Sequence, residues 1–438
     1  MKYDIVIAGG GTAGCACAYI AGKLGLSVLL IEKNSFLGGT MTSAQVCPAM
    51  KTSDNNINND FFNYLMKSLN KIDGQITYPD DNIGWFNPEL MKIVLDKLMD
   101  EVKVNVLFNT EIINIKTNDN NITSISLNSN HIYNDTIYTD NIDKRDKLLL
   151  EYIETKYLID ATGDAKIFQK LNCDFLENKN YFQPNNLRFM MSGIDLKKFS
   201  DWIMELDSDR NVTTSFIIDG NIHLSTAYTW DKDKNWALRP IFEKGIKEGI
   251  ITEEDSNYFQ LFSVPGMPAT VAFNCPRIIF ESDAYTNNKI YLSRALKQGR
   301  TSILRLSFFL KKYFKGFENA YISSIANSLG IRVSNRIKGK YIYTIEDLKS
   351  GKKFSNPCLI SNYPVDVHSR NKDESVLEHQ MQEYMLPIES LISCNYDNLF
   401  AIGRCISADF WAQAALRIIP SCFSMGEGLA KYIAELEH

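Results

Sequence analysis

The sequence predicts an α/β fold: a mostly parallel sheet opened by a compact βαβ unit, extended by antiparallel hairpins, with an α+β lobe inserted. Three observations predict it. The run from Tyr3 to Ala8 is almost wholly apolar and bounded by glycines, as a parallel strand buried on both faces requires. A small-residue helix from about Thr12 to Leu24 follows, stopped by Gly25, and a second apolar strand occupies 27–32. The βα rhythm is then lost between about 171 and 385. It returns with a strand at 398–402 and a closing helix from about Pro420 to Leu436.

Between these landmarks the pattern is legible in pieces. Residues 61–69 form an apolar helix candidate inside a polar stretch, and 88–101 form an amphipathic helix with Pro88 at its start, where no backbone donor is needed. Strand signals follow at 102–108, 111–116 and 122–127. An Asn/Asp-rich run from 117 to 147 reads as hairpin loops and exposed strand edges. Residues 155–161 form another apolar strand. With 438 residues the chain exceeds one ordinary domain. The expected division is 1–170 and 386–438 for a dinucleotide-binding domain and 171–385 for an inserted substrate lobe.

The net charge of -5 disfavours nucleic acid as the main partner, because no global positive field draws phosphates in. The first residues enter a strand without a basic, apolar and small-residue leader, and no window approaches the ~18 apolar residues of a spanning helix. A cytoplasmic protein without a membrane segment is the expectation. The 9 cysteines include no CxxC pair, so neither a metal site nor an iron–sulfur cluster is expected.

The strongest chemical signal is Gly9-Gly10-Gly11-Thr12-Ala13-Gly14, directly after a strand and opening a helix. Gly9 permits the tight turn, Gly11 lets backbone approach a pyrophosphate, and Gly14 lets the helix pack closely on the sheet. Glu32 ends the next strand, about 20 residues on, where a carboxylate accepts hydrogen bonds from a ribose diol. This pattern serves NAD and FAD equally. Three further stretches bear on the choice: Leu37-Gly38-Gly39-Thr40, the strand-and-turn Ile159-Asp160-Ala161-Thr162-Gly163-Asp164, and Leu399 to Arg404, a strand whose glycine precedes the last helix.

Taken together, these stretches resemble the glutathione-reductase-like FAD-binding superfamily. The resemblance implies that Gly9, Gly11, Thr12, Ala13, Gly14 and Glu32, with Lys33 beside them, hold the ADP part of FAD. It places Gly38, Gly39 and Thr40 by the pyrophosphate and ribityl chain, and Ala161, Thr162 and Gly163 along the nucleotide. Gly403, Arg404, Pro420 and Ser421 would lie by the ribityl chain and isoalloxazine. The strand around Glu111 and Ile112 would meet adenine through its backbone. A narrower resemblance, to one branch of FAD-dependent oxidoreductases, rests on Gly316 to Tyr321 (GFENAY), Leu329 to Gly339 (LGxRxSxRIxG), Tyr341 to Asp347, Tyr363 to His368 (YPxDxH), Gly403 to Ala408 (GRCISA) and Arg417 to Cys422. The chain departs from that branch at Asp409-Phe410-Trp411, where a histidine is common, and at Glu389, where an arginine is common.

Candidate catalytic groups follow from residue chemistry. His368, beside Asp366, has the tunable charge of a general acid or base. Arg332 and Arg336 are four apart and would share a face on a helix, suiting a substrate carboxylate or the flavin. Both also read as ordinary salt-bridge partners. Arg417 is a candidate clamp for an anionic substrate, and Arg404 for contact with FAD or its loop. Cys47 follows the Gly-Gly-Thr loop but has no evident partner thiol, and Cys15 and Cys17 read as small packing residues. Aromatics at 226–236 are candidates to line a pocket or to sit exposed.

The implied activity is an FAD-dependent oxidoreductase passing a hydride between a small-molecule substrate and flavin N5. One glycine motif argues against a separate NAD(P)H domain, and the electron donor or acceptor stays open. Rival readings are a flavoprotein using FAD in isomerisation or hydration, an electron-transfer subunit of a larger complex, and NAD binding without flavin.

Overall fold

The structure, a computed structural model, describes residues 1–129, 152–177, 183–210, 212–228, 236–279, 288–368, 376–377 and 381–437. In chain order its principal elements begin with β1 (Lys2–Ala8), α1 (Thr12–Lys23), β2 (Val28–Ile31), α2 (Asp60–Asn70), α3 (Pro88–Glu101) and β3 (Asn105–Leu107). Next come β4 (Thr110–Asn118), β5 (Asn121–Ser129), β6 (Ile153–Asp160), β7 (Phe189–Ser192), α4 (Leu196–Leu206), β8 (Thr214–Ile218) and β9 (Asn221–Tyr228). The chain continues through α5 (Arg239–Lys247), β10 (Phe259–Ser263), β11 (Thr270–Phe273), α6 (Lys289–Tyr313), β12 (Tyr321–Ile325), β13 (Leu399–Ala401), α7 (Phe410–Leu416) and α8 (Ile419–Glu437).

The first sheet runs β3-β2-β1-β6-β5-β4, with β13 also pairing β6. The pairs β1·β2, β2·β3, β1·β6 and β13·β6 are parallel, while β4, β5 and β6 join antiparallel. The unbroken apolar strands have their explanation here. Ile5 and Ile7 of β1, with Val28 and Leu30 of β2, face one core, while Val6, Ala8, Leu29 and Ile31 face another. Each fully buried aliphatic side chain contributes about 1.5–3 kcal/mol. Asn398 pins β13 in register: its side-chain amide donates to Ile122 O and Lys156 O and accepts from Ile122 N.

Helices cover one face of this sheet. Asn87 caps α3 by accepting from the N–H groups of Glu89 and Leu90, with Pro88 next in line. The closing helix α8 lies directly on α1. A Cβ at Gly426 would collide with Ala13 O, so only glycine allows these two backbones to touch.

The second sheet, β8-β9-β10-β11-β7-β12, is antiparallel throughout. Its core gathers Phe189, Phe259 and Phe273 with Phe242 of α5 and Phe309 of α6. Most buried apolar residues between Leu187 and Leu329 pack there, while Met190, Phe262, Val264 and Ala272 face the first core. Val333, Tyr343, Leu359 and Leu386 instead join the core beneath the first sheet. Among the described residues no helix is long and apolar enough to cross a membrane.

Candidate functional site

The glycine loop folds as its residue types demand. Gly9 has φ +107, and a side chain there would press on the backbone of Ala161 at 2.6 Å. A Cβ on Gly14 would collide with Gly9 O, so that glycine seats α1 on the turn. Gly11 differs from both. Its backbone is extended (φ -79, ψ -171), and a Cβ would have Ala161 O and the Gly39 Cα as nearest neighbours at 3.9 Å. Space is therefore left open at the start of α1, and no side chain caps the first N–H groups of that helix. The Gly38-Gly39 turn closes over the loop: Gly38 N donates to Gly10 O at 2.8 Å.

Glu32 lies beneath the loop. One carboxylate oxygen accepts from Gly10 N at 2.8 Å, and the other accepts from the backbone and side-chain nitrogens of Asn34 at 2.8 and 2.6 Å. Burial pushes its carboxyl above the ordinary value, against the pull of those hydrogen bonds. Lys33 points to solvent, and Thr40 is half-buried. Ile112 is buried, its strand β4 pairing with β5 on one side and forming the edge of the sheet. Near the start of α8, Gly403 (φ +84) faces Ala13, where a Cβ would come within 3.5 Å. Ser421, in the first turn of α8, is buried with its hydroxyl unpartnered among the described residues. An open cradle at Gly11, an uncapped helix start, a strand-end glutamate and an orphaned serine hydroxyl fit a dinucleotide running from Glu32 towards α8.

The turn after β6 is organised by Asp160, a role that the sequence pattern does not reveal. Fully buried, it accepts from Thr162 N and Oγ1 on one oxygen and from the N–H groups of Ile167 and Phe168 on the other. Ala161 and Gly163 are thereby fixed beside the glycine loop. Arg404 spends its donors on protein: Nε on Gly163 O and Ser334 Oγ, one terminal nitrogen on Ile331 O, the other on Asp164 at 2.7 Å. It ties three loops together.

A second constellation gathers side chains from segments around 183, 258–277, 332, 366–368 and 417. His368 is set between Asp366 and Arg277: its Nε2 is 3.1 Å from Asp366 Oδ1, and its Nδ1 is 3.0 Å from a terminal nitrogen of Arg277. A guanidinium only donates, so Nδ1 accepts and the ring proton sits on Nε2. Burial lowers the imidazole to about 4, the nearby Asp366 only partly opposing it, so the ring is neutral at ordinary pH. Asp366 also receives Arg417, through its carboxylate at 3.2 Å and its backbone carbonyl at 2.9 Å. Burial pushes the Asp366 carboxyl up, but His368, Arg417 and Arg332 outweigh it and hold it well below the usual carboxylate range. Arg332 donates to Pro184 O and Asn186 Oδ1, both at 2.6 Å; burial and its arginine neighbours lower it to about 9. The Arg277 guanidinium stacks over Tyr258, 4.7 Å from its ring centroid.

Arg332 and Arg336 do not share a helix face. The chain from 331 to 336 has no helical or strand assignment, and Arg336 turns instead to Ala408 O and Glu177 O. Tyr258, Arg277 and Gln183 were not singled out by sequence reasoning, since they follow no motif and lie far apart along the chain. Asp409 caps α7 by accepting from Ala412 N. Cys47 is buried, its thiol pushed up to about 11 by burial, with Arg188 only partly offsetting this. Of the aromatic stretch 226–236, residues 229–235 lie outside the described residues, as does 130–147 of the Asn/Asp-rich run. No group of three or more His, Cys, Asp or Glu suited to a metal ion occurs among the described residues.

Three contacts join segments next to this cluster to the glycine-loop side of the fold. Arg188 donates to Cys47 O at 3.1 Å, and Ser43 bonds Ser328 at 2.8 Å. The Gln413 amide donates to both Arg332 O and Arg404 O at 3.2 Å.

Comparisons with known proteins place this geometry. A segment of 38 residues is 58% identical to digeranylgeranylglycerophospholipid reductase 2 of Methanothermobacter thermautotrophicus, a match covering 9% of this chain and 10% of that protein. The chain thus spans about a tenth of that relative's length in the match. Among solved structures it is similar to a geranylgeranyl bacteriochlorophyll reductase-like protein from Thermoplasma acidophilum: 12% identity, 100% of this chain and 79% of that one, TM-score 0.44. It is also similar to a glycine oxidase from Bacillus cereus, with 9% identity, 100% and 96% coverage, and a TM-score of 0.44. The family model of the FAD dependent oxidoreductases matches residues 4–436. The chain belongs to the FAD dependent oxidoreductase family, and it is an enzyme whose cofactor is FAD.

Proposed function

We propose that this enzyme transfers a hydride between a small-molecule substrate and flavin N5, with the substrate held at the arginine–histidine cluster. The observation that carries the reading is the junction itself: a buried, charged cluster drawn from segments of both cores is tied to the cofactor side through Arg188, Gln413 and Arg332. Bound FAD supplies two-electron chemistry, and the protein supplies position, electrostatics and water exclusion.

On this reading Gly9, Gly11, Thr12, Ala13 and Gly14 offer backbone to the pyrophosphate, and Glu32 takes the adenosine ribose. Gly38, Gly39 and Thr40 close over the phosphates, with Ala161, Thr162 and Gly163 opposite. Gly403 and Ser421 flank the flavin end, α8 directing its N-terminal dipole there. Arg404 acts through the loops it ties. Neutral His368 is the proton-handling group, and the accepting atom is Nδ1, because Asp366 holds the proton on Nε2. Nδ1 becomes available when Arg277 turns from it. The second sheet and its helices form the substrate-facing wall. The chain's resemblance to the glutathione-reductase-like FAD-binding superfamily supports the same assignment.

The test is anaerobic mixing of the FAD-loaded enzyme with a panel of alcohols, amines and hydroxy acids, following the flavin absorbance. Bleaching by one compound, slowed when deuterium replaces its reacting hydrogen, is the expected result. A compound turned over with no electron acceptor and no change in flavin redox state would refute hydride transfer and favour isomerisation or hydration.

A further inference from the structure

We infer that the substrate carries an oxyanion, a carboxylate or phosphoryl group, received by Arg277 and Arg417 with Arg332 behind them. The inference rests on the placement of the substrate at this cluster. Its ground is a mismatch in the charges and donors gathered there. Three guanidiniums, of Arg277, Arg332 and Arg417, surround one carboxylate, that of Asp366, among the described residues. Both oxygens of that carboxylate are engaged, Oδ1 with His368 and Oδ2 with Arg417. Arg277 is 5% exposed, yet its polar neighbour is a neutral imidazole and its face rests on the Tyr258 ring. Among the described residues no carboxylate pairs with it at ion-pair distance, and Asp366 acts on it only from further off.

The unpartnered atoms point the same way. Among the described residues, Arg277 Nε, Arg417 Nε and Gln183 Nε2 are buried without a hydrogen-bond acceptor. All three are donors, from residues joined in one network: Gln183 Oε1 accepts from His368 N at 3.1 Å and from Arg417 at 3.4 Å. Buried donors left without acceptors, beside surplus positive charge, are costly unless a ligand supplies both acceptor atoms and negative charge. A carboxylate or phosphate does both, and the planar guanidinium fork matches either one bidentately. A neutral or cationic substrate would leave the mismatch in place. The FAD pyrophosphate is assigned instead to the open cradle at Gly11 and the uncapped start of α1. Oxyanion capture also draws Arg277 from His368 Nδ1, so binding of the substrate frees the proton acceptor.

The experiment uses the full chain loaded with FAD, its occupancy read from the flavin spectrum. Succinate, benzoate, inorganic phosphate and the neutral analogue succinamide are titrated separately by calorimetry, with flavin absorbance followed in parallel. Saturable binding of a carboxylate or of phosphate, absent with succinamide and weakened at least about tenfold in Arg277→Met and Arg417→Met, is expected. Preference between carboxylate and phosphate tells which oxyanion the substrate carries. If a methionine variant does not fold, Arg277→Lys keeps the charge but loses the fork, and weakened binding is again expected. Failure of every anion to bind the FAD-loaded protein, or binding undiminished in the folded variants, would overturn the inference. Anion binding by a protein that takes up no FAD would leave this inference standing while removing the flavin-based reading of the site.

Discussion

Gly11 and Gly14 belong to one motif but are expected to fail in opposite ways when each gains a methyl group. At Gly14 the new Cβ collides with Gly9 O and comes within 3.1 Å of the Ala161 Cβ, so α1 must lift from the turn. Overpacking of this kind costs about 1–3 kcal/mol. The better helix propensity of alanine returns about 1 kcal/mol of that. A net loss of about 1–2 kcal/mol follows for Gly14→Ala. At Gly11 the backbone is one that any residue adopts, and the Cβ makes ordinary contacts at 3.9 Å. Folding of Gly11→Ala without cofactor is expected to match the parent within about 0.5 kcal/mol. The methyl group instead occupies the cradle, and FAD affinity falls by at least about tenfold, or ~1.4 kcal/mol. Thermal unfolding of the cofactor-free proteins and FAD titration by quenching of flavin fluorescence separate the two effects. Unchanged FAD affinity in a well-folded Gly11→Ala protein would refute the assignment of that space to the cofactor.

Acid should weaken the fold through His368. Its folded value near 4 lies below the ordinary 6.5, so its contribution is fully present above about pH 6.5 and is lost as pH falls towards 4. The gap corresponds to about 3 kcal/mol, and denaturant midpoints at pH 7 and pH 4 should converge in His368→Gln, whereas an identical pH slope in both proteins would count against it. Arg404→Met should cost about 3 kcal/mol, because Asp164 and the carbonyls of Gly163 and Ile331 lose their partner; a change under ~1 kcal/mol in the same denaturant assay would contradict the tie. Gly426→Ala should lower the melting temperature by separating α8 from α1 at Ala13, and a stabilised variant would show that the helices have room to spare.

Much of the first sheet and its helices was legible because the local rules agree there. The β1 and β2 strands are apolar at every step since both faces are covered, and Gly9, Gly14 and Gly25 each sit where only glycine suits the backbone or the packing. The longest helix, α6, was not distinguished from its neighbours. Its polar first half includes Gly299, a glycine required by contact with Leu187 and Ile278, and the apolar face resumes only at Ile303, Leu306 and Leu310. Arg404 shows another limit: sequence places it at the flavin end of the fold, but its partners are carbonyls of remote loops. The arginine cluster shows the same limit from the other side. Arg332, Arg417 and His368 stood out by type and motif. Tyr258, Arg277 and Gln183, which complete the cluster, come from segments far apart in the sequence that carry no motif.

The most direct test of the account is the absorbance spectrum of the purified protein, with acid precipitation to release the chromophore. Flavin bands with free FAD in the supernatant, or a yellow pellet if the flavin is covalently held, are the result expected for this family. A colourless protein that stays colourless after FAD is added, while retaining its folded structure, would contradict the assignment of the glycine loop, Glu32 and α8 to FAD.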